Sequence, residues 1–263
     1  EQFLSTNFDE TLYTQYVYST GIEYEFLSNR ITAILGIGYD GSSFTETGNF
    51  DDSNNLSSLG LNLTTKYQLD NAFSLQLNLG KKSRFPSLRE SYSDGLGRFI
   101  VNPDLKQETA YDGELGLQFL FPKGSMYTNI FLNLLSDGIV RDFILVNDET
   151  KFTRVNKESI RTFGFELQFD YTIANKVSAG FQFSYLNSFA KNTQTGKYTD
   201  TLEYKPDFIS SLYLNYSPWK RISGLLELTT IHNEFGYQEG YEYFRELPSY
   251  FLINFRLTYS IPF

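Results

Sequence analysis

The chain has 263 residues, of which 41% are hydrophobic and 17% aromatic, with 22 Lys and Arg against 31 Asp and Glu, one His and no Cys. The absence of cysteine excludes disulfide scaffolds and thiolate metal sites, and a single His excludes a multi-histidine metal centre. A net charge of −9 argues against a nucleic-acid partner, because phosphate binding requires clustered Lys and Arg. No cofactor is indicated, and the 25 Phe and 20 Tyr favour strands.

A two-residue alternation of apolar and polar side chains recurs along the chain. It predicts strands near 11–27, 31–40, 58–69, 73–84, 107–121, 126–147, 152–173, 177–189, 203–217, 220–232 and 247–263. The last strand shows the alternation most clearly, because every second residue from Phe251 to Phe263 is apolar and Asn254, Arg256, Thr258 and Ser260 lie between them. Strands of this length exceed the mean of about 5 to 6 residues in soluble proteins.

Short turns alternate with long polar connections near 41–57, 85–106, 136–151, 190–202 and 233–246. Short periplasmic turns and long extracellular loops, joined by strands with one apolar face, are typical of bacterial outer-membrane barrels. The expected fold is therefore all-β, a transmembrane antiparallel outer-membrane β-barrel wall of about eleven strands.

An odd strand count has a consequence for closure. Single-chain bacterial barrels have an even number of strands, whereas the first and last of eleven antiparallel strands run in the same direction. Each unpaired edge would leave roughly ten backbone groups in lipid at several kcal/mol each. We therefore expect an odd number of further strands beside this chain, from a complementary N-terminal segment or from a separate chain.

Several short segments, taken in chain order, match the motifs of one family. They are Gly38-Tyr39-Asp40 at a strand end, Arg84-Phe85-Pro86-Ser87-Leu88-Arg89-Glu90, Asn102-Pro103-Asp104-Leu105-Lys106-Gln107-Glu108, and Asn156 followed by Gly164-Phe165-Glu166. The second segment resembles Phe-Arg-Ala-Pro-Ser-Leu-x-Glu, and the third resembles Asn-Pro-x-Leu-x-Pro-Glu, with Gln107 in place of the proline. Together they resemble the C-terminal half of the barrel of TonB-dependent outer-membrane receptors.

The resemblance implies that residues 1–263 form the C-terminal part of a 22-stranded barrel and contain no plug domain. The family-motif residues are Arg84, Pro86, Leu88, Glu90, Asn102, Pro103, Leu105, Glu108, Gly164 and Glu166. The terminal ladder resembles the signal read by the outer-membrane assembly machinery and consists of Phe255, Leu257, Tyr259, Ile261 and Phe263. Arg84 and Arg89 are expected to contact the plug, and the inward face is expected to include Lys66, Lys81 and Arg256.

The function implied by the resemblance is uptake of a scarce nutrient, such as a siderophore, a vitamin, a glycan or a peptide. The implied partners are an N-terminal plug-and-barrel segment or chain, the TonB complex through that segment, lipid and lipopolysaccharide, and in sugar-importing variants a surface lipoprotein. The expected location is the bacterial outer membrane.

One loop combines aromatic residues with carboxylates, namely Phe235, Tyr237, Tyr241, Tyr243 and Phe244. Aromatic side chains can bind ligands by stacking and apolar burial, so this loop is a candidate for ligand contact. An aromatic girdle at the membrane boundary explains the same composition equally well.

Two alternatives to transport remain open at this stage. The first is a structural or docking barrel that does not transport and belongs to a larger outer-membrane complex. The second is an outer-membrane enzyme that uses His232, but no other residue pattern points to catalysis. We therefore predict no enzyme activity, no catalytic residue and no metal site.

Overall fold

The structure is a computed structural model that describes residues 12–48, 50, 55–94, 97–146, 149–191, 198–199, 205–236 and 245–261. Its strands are β1 (Tyr13–Leu27), β2 (Ile31–Thr47), β3 (Asn55–Gln68), β4 (Phe73–Arg84), β5 (Phe99–Ile100), β6 (Glu108–Phe121), β7 (Gly124–Val146), β8 (Glu149–Ala174), β9 (Val177–Lys191), β10 (Tyr198–Thr199), β11 (Phe208–Trp219), β12 (Ile222–His232), β13 (Glu234–Gly236), β14 (Arg245–Leu247) and β15 (Tyr250–Tyr259). One short helix, α1 (Leu88–Tyr92), follows β4. Within the described residues, no helix has the length and apolar character needed to cross a membrane.

Eleven long strands form one antiparallel sheet in the order β1-β2-β3-β4-β6-β7-β8-β9-β11-β12-β15. The short strands β5 and β10 attach to β8 and β9, and β13 pairs only with β14. This arrangement confirms the eleven expected strands and their antiparallel order. Because the count is odd, β1 and β15 run in the same direction, and in the described part of the chain they do not pair with each other. The chain is a partial barrel.

One face of the sheet is apolar across its whole width. The register aligns Leu77, Leu115, Ile130 and Phe165 in a single row of neighbouring strands. Few apolar side chains in the described residues are buried, and they are Phe44, Pro86, Tyr92, Leu105 and Ala190. A sheet with an exposed apolar face and almost no core matches a wall that lipid covers on one side.

The longest hairpin departs from the expected connection at 136–151. Strands β7 and β8 continue through this region and pair from Ile139↔Asn156 to Val146↔Glu149. The segment 139–146 is rich in β-branched and aromatic residues, which favour strands. An irregularity in register at Leu135/Gly138, with Asp137 at a φ of 57°, marks where the hairpin leaves the regular sheet. We call residues 136–160 the extended hairpin.

Two local expectations are also wrong. Gly38-Tyr39-Asp40 lies within β2 rather than at its end, because the pairing with β1 continues to Thr47. Lys81 shares the face of Leu75, Leu77 and Leu79 and pairs with Leu61, so it lies on the apolar side. The alternation of β4 itself fixes this side, since Lys81 and Leu79 are two residues apart.

Aromatic rings on the inner face lie against glycines of the neighbouring strand. The Phe131 ring covers Gly164, where an added Cβ would lie 2.2 Å from its Cζ atom. The Tyr213 ring covers Gly180 in the same way, with its Cζ atom 2.3 Å from an added Cβ. These glycines therefore allow large rings to lie flat on the wall.

We predict that Gly164→Ala lowers the stability of the complete barrel, by about 1–3 kcal/mol, because the Cβ displaces the Phe131 ring. Gly113→Ala is the matched control, since the nearest atom there is Leu79 Cδ2 at 3.6 Å. Thermal unfolding in detergent measures both changes. Equal effects of the two substitutions, or no relief of the Gly164→Ala defect by Phe131→Leu, would contradict the packing described.

Candidate functional site

The connection between β4 and β6 folds across β1 and β2 at their long-loop ends. We call residues 85–107 the rim loop. Its helix begins with a capping box, in which the Ser87 hydroxyl accepts a hydrogen bond from the Glu90 N–H at 3.3 Å and a Glu90 carboxylate oxygen accepts one from the Ser87 N–H at 2.9 Å. The buried Pro86 contributes its carbonyl, which accepts a hydrogen bond from Gln15 Nε2 at 2.9 Å. The rim loop is thus attached to β1.

Arg84 joins the start of the rim loop to its end. Its guanidinium binds both carboxylate oxygens of Glu90, at 2.8 and 3.0 Å, and its Nε donates to Glu108. Glu108 in turn accepts a hydrogen bond from the Ile139 N–H at 2.7 Å. A bidentate arginine–carboxylate pair has a fixed geometry as well as charge attraction, so Arg84 fixes α1 relative to β6 and the extended hairpin.

The ion pair changes the acidity of Glu90. Partial burial acts to raise the pKa of Glu90, but hydrogen bonds from Arg84, from the Ser87 N–H and from the Ser87 hydroxyl outweigh it, and the pKa falls from 4.5 to about 2. Because the pKa is lower in the folded state, this contribution to stability is present above pH 4.5. It is lost as the pH falls from 4.5 toward 2.

An aromatic cluster holds the other end of α1. The buried Tyr92 ring packs edge-on against Phe44 of β2, with ring centres 5.4 Å apart. The rings of Tyr13 and Phe50 each lie 5.7 Å from Tyr92. Such pairs add to the gain from apolar burial, so the cluster gives the rim a small core of its own.

Arg154 of the extended hairpin caps the carboxyl end of α1. Its Nη1 donates to the carbonyl oxygens of Arg89 at 3.0 Å and of Glu90 and Ser93 at 3.4 Å. Its guanidinium also lies 4.2 Å from the centre of the Phe99 ring. No motif in the sequence includes Arg154, although its position two residues before Asn156 places both side chains on one side of the strand.

Asn156 and Asn102 complete the contact between the rim loop and the extended hairpin. The Asn156 amide pairs with the Lys106 backbone through two hydrogen bonds of 2.8 and 2.9 Å, and it also donates to the Asp137 carbonyl at 2.8 Å. Asn102 Nδ2 donates to the Arg154 carbonyl at 2.8 Å. Between these asparagines, Leu105 is fully buried. The motif residues therefore join the rim loop to the extended hairpin at the long-loop end of the wall.

Below the rim, the inner face contains an acidic concavity of about 470 Å³. Three carboxylates line it, from Asp112, Glu114 and Glu166, and no Lys or Arg is among its described lining residues. Asn78 Nδ2 donates to Glu114 at 3.1 Å. Asn129 is 4% exposed, and its Oδ1 has no hydrogen-bond partner among the described residues. The concavity can therefore accept hydrogen bonds and bind positively charged groups.

A second cavity, of about 610 Å³, lies beside α1. Aromatic and aliphatic side chains line it together with two charged ones, and its lining includes Tyr13, Phe50, Leu88, Arg89, Tyr92 and Asp94. Aromatic walls with a few charged groups are typical of small-molecule sites. Among the described residues, no three His, Asp or Glu side chains converge as a metal site.

Comparison with known proteins identifies the architecture. The family model described as TonB dependent receptor-like, beta-barrel, matches residues 3–262. The chain belongs to this family. Its membership places the TonB-dependent receptor barrel wall in the outer membrane, as expected. A comparison with curated proteins found no match.

Solved structures share the fold of this TonB-dependent receptor barrel at low identity. The copper transporter OprC is 16% identical with a TM-score of 0.77, over 95% of this chain and 40% of that one. The FrpB iron transporter from Neisseria meningitidis is 16% identical with a TM-score of 0.76, over 94% and 39%. The siderophore receptor PirA from Acinetobacter baumannii is 17% identical with a TM-score of 0.70, over 93% and 39%. The chain thus spans about two fifths of these structures.

The structure distributes the family-motif residues of this receptor barrel over two places. Those of the rim loop and its flanks meet at the rim, whereas Gly164 and Glu166 lie on the inner face of β8. Arg84 pairs with Glu90 and Glu108 of its own chain, and the plug contact expected of Arg84 and Arg89 stays a prediction. Pro103 lies in the turn between Asn102 and Leu105.

The other two groups of expected site residues are only partly described. Phe255, Leu257 and Tyr259 point to the apolar face of β15 and, like Ile261, are at least 60% exposed, whereas Phe263 lies outside the described residues. Phe235 lies in β13 and pairs with Glu246. Tyr237, Tyr241, Tyr243 and Phe244 lie outside the described residues. Assembly and ligand contact stay predictions for these two groups.

We predict that Arg84→Gln raises the pKa of Glu90 toward 4.5 and loosens the rim loop at a higher pH than in the unsubstituted receptor. Pepsin, which works between pH 2 and 4.5, should cut the substituted loop near pH 4 and the original loop only near pH 2. Arg98→Gln removes the same charge from the same loop and should behave like the original. Identical cleavage profiles for all three proteins would show that the ion pair does not hold the loop.

Proposed function

We propose that this chain forms the wall of a receptor that imports a scarce nutrient across the outer membrane. The observation that carries this proposal is the inner face, which is polar, concave and acidic below a rim held by buried motif residues. A wall that served only as structure would need no such concavity. The proposal includes an N-terminal plug-and-barrel part and, through it, the TonB complex.

The acidic concavity supports a contact with the plug. Asp112, Glu114 and Glu166 line it without a basic neighbour among the described lining residues, and the Asn129 side-chain oxygen is buried beside them. The buried Asn129 acceptor is costly unless a donor approaches it, and the three carboxylates beside it attract positive charge. We propose that basic side chains of the plug supply these donors, so that the wall retains the plug between transport events.

The aromatic cavity beside α1 supports a contact with the transported ligand. Tyr13, Phe50 and Tyr92 supply ring faces, and Arg89 and Asp94 supply charges of both signs at its edge. Stacking and charge together suit a siderophore, a vitamin, a glycan or a peptide. The siderophore receptor that shares the fold supports the first of these classes. Phe235 and the aromatic residues that follow it are a further proposed contact.

Replacing Glu114 and Glu166 together by Gln is predicted to weaken retention of the plug, because the wall loses two charged acceptors. Cells that produce this receptor should become sensitive to vancomycin, which is too large to cross an intact outer membrane. The control Glu149→Gln/Glu227→Gln removes the same charge elsewhere and should leave the cells resistant. Resistance of the cells with both variants would contradict the proposed plug contact.

Transport itself is tested with radiolabelled ferric citrate, radiolabelled cobalamin and a fluorescent oligosaccharide. Cells with the complete receptor should accumulate one of these probes, and the accumulation should require both the receptor and the proton gradient. Accumulation that survives deletion of the receptor, or that persists after the gradient is collapsed, contradicts the proposal. An outer-membrane complex that falls apart on deletion, with unchanged uptake of every probe, favours the docking barrel instead.

A further inference from the structure

The short turns are rich in positively charged residues, although the chain as a whole has a net charge of −9. The five turns are 28–30, 69–72, 122–123, 175–176 and 220–221. They contain five basic residues, Arg30, Lys123, Lys176, Lys220 and Arg221, and one acidic residue, Asp70. The connections at the opposite end of the wall contain thirteen Asp and Glu against six Lys and Arg. The wall is therefore basic at its short-turn end and acidic at its long-loop end.

The basic side chains of these turns are exposed, and none of them forms an ion pair with a described carboxylate. Both ion pairs among the described residues belong to Arg84, at the other end of the wall. The Asp70 carboxylate accepts hydrogen bonds from the N–H groups of Ala72 and Phe73, at 2.7 and 2.8 Å. Asp170, near the same end, lies on the inner face and accepts a hydrogen bond from Tyr213. The positive charges therefore face solvent or lipid.

An aromatic belt lies immediately above the basic turns, on the apolar face. It consists of Tyr67, Tyr171, Tyr216, Trp219 and Tyr259, which are 37–67% exposed. Tyr and Trp at the end of an apolar band mark the boundary between hydrocarbon and headgroups. The Lys and Arg side chains just beyond such a belt lie at the depth of lipid phosphates.

We propose that Arg30, Lys123, Lys176, Lys220 and Arg221 bind the phosphate groups of anionic phospholipids in the inner leaflet of the outer membrane. Short turns face the periplasm, which places these residues at that leaflet. The cations extend from β1 to β12 along the aromatic belt rather than clustering in one patch, and this spread fits a lipid surface better than a protein partner. The inference depends on the outer-membrane location and not on transport.

The test uses the complete receptor in phosphatidylcholine vesicles that contain traces of spin-labelled phosphatidylglycerol or spin-labelled phosphatidylcholine. Electron spin resonance measures the fraction of each lipid held at the protein surface. We expect phosphatidylglycerol to be favoured by about two- to threefold, and high salt to reduce the preference. The variant R30Q/K123Q/K220Q/R221Q should lose most of this preference. Lys176 is left unchanged because its Nζ donates to the Pro218 carbonyl.

The control R98Q/K151Q/K191Q/K205Q removes four positive charges from outside the basic turns and should retain the preference. Equal binding of the two lipids by the unsubstituted receptor would overturn the proposal, as would equal losses in variant and control. Capture of an acidic periplasmic protein without any lipid preference would also overturn it. If the fourfold variant does not fold, R30Q/K123Q and K220Q/R221Q should each lose part of the preference, and full retention in both refutes the inference.

Discussion

The whole architecture depends on the pairing of backbone hydrogen-bonding groups within the membrane. Lipid offers no partner to an N–H or a C=O, and each unpaired group costs several kcal/mol. Nine of the eleven long strands satisfy both of their edges within this chain, whereas β1 and β15 satisfy one edge each. Because these two strands run in the same direction, they cannot close the wall by antiparallel pairing. Companion strands are therefore a physical requirement of this fold.

The same strands that form the wall also separate its apolar, lipid-facing side from its polar inner side. Successive side chains point to opposite faces, so each strand presents apolar residues to lipid and polar residues to the inside. Glycines on the inner face leave room for the rings of Phe131 and Tyr213. At the long-loop end, Arg84, Arg154 and Asn156 join the rim loop to the extended hairpin and thereby shape the aromatic cavity beside α1. The proposed ligand and plug contacts depend on this division.

The repeating parts of the fold could be predicted from the sequence, and the contacts between distant segments could not. Period-two alternation predicts all eleven long strands, because a wall between lipid and water requires an apolar side chain at every second residue. The sequence predicts a polar connection at 136–151 that overlaps the strand predicted at 126–147, since the alternation there no longer separates lipid from water beyond the membrane. Arg154 donates hydrogen bonds to carbonyl groups that lie 61 to 65 residues earlier in the sequence, and no local sequence pattern predicts such contacts. Motif resemblance located the rim residues but not their partners.

The most direct test of this account is the intact mass of the folded, detergent-extracted assembly that contains this chain. We predict that the 263-residue segment, which contributes 30.4 kDa, occurs only with further strands, in the same polypeptide or in a tightly bound companion. Separation of those strands should unfold it. A folded, heat-stable particle with the mass of this chain alone would contradict the requirement for companion strands.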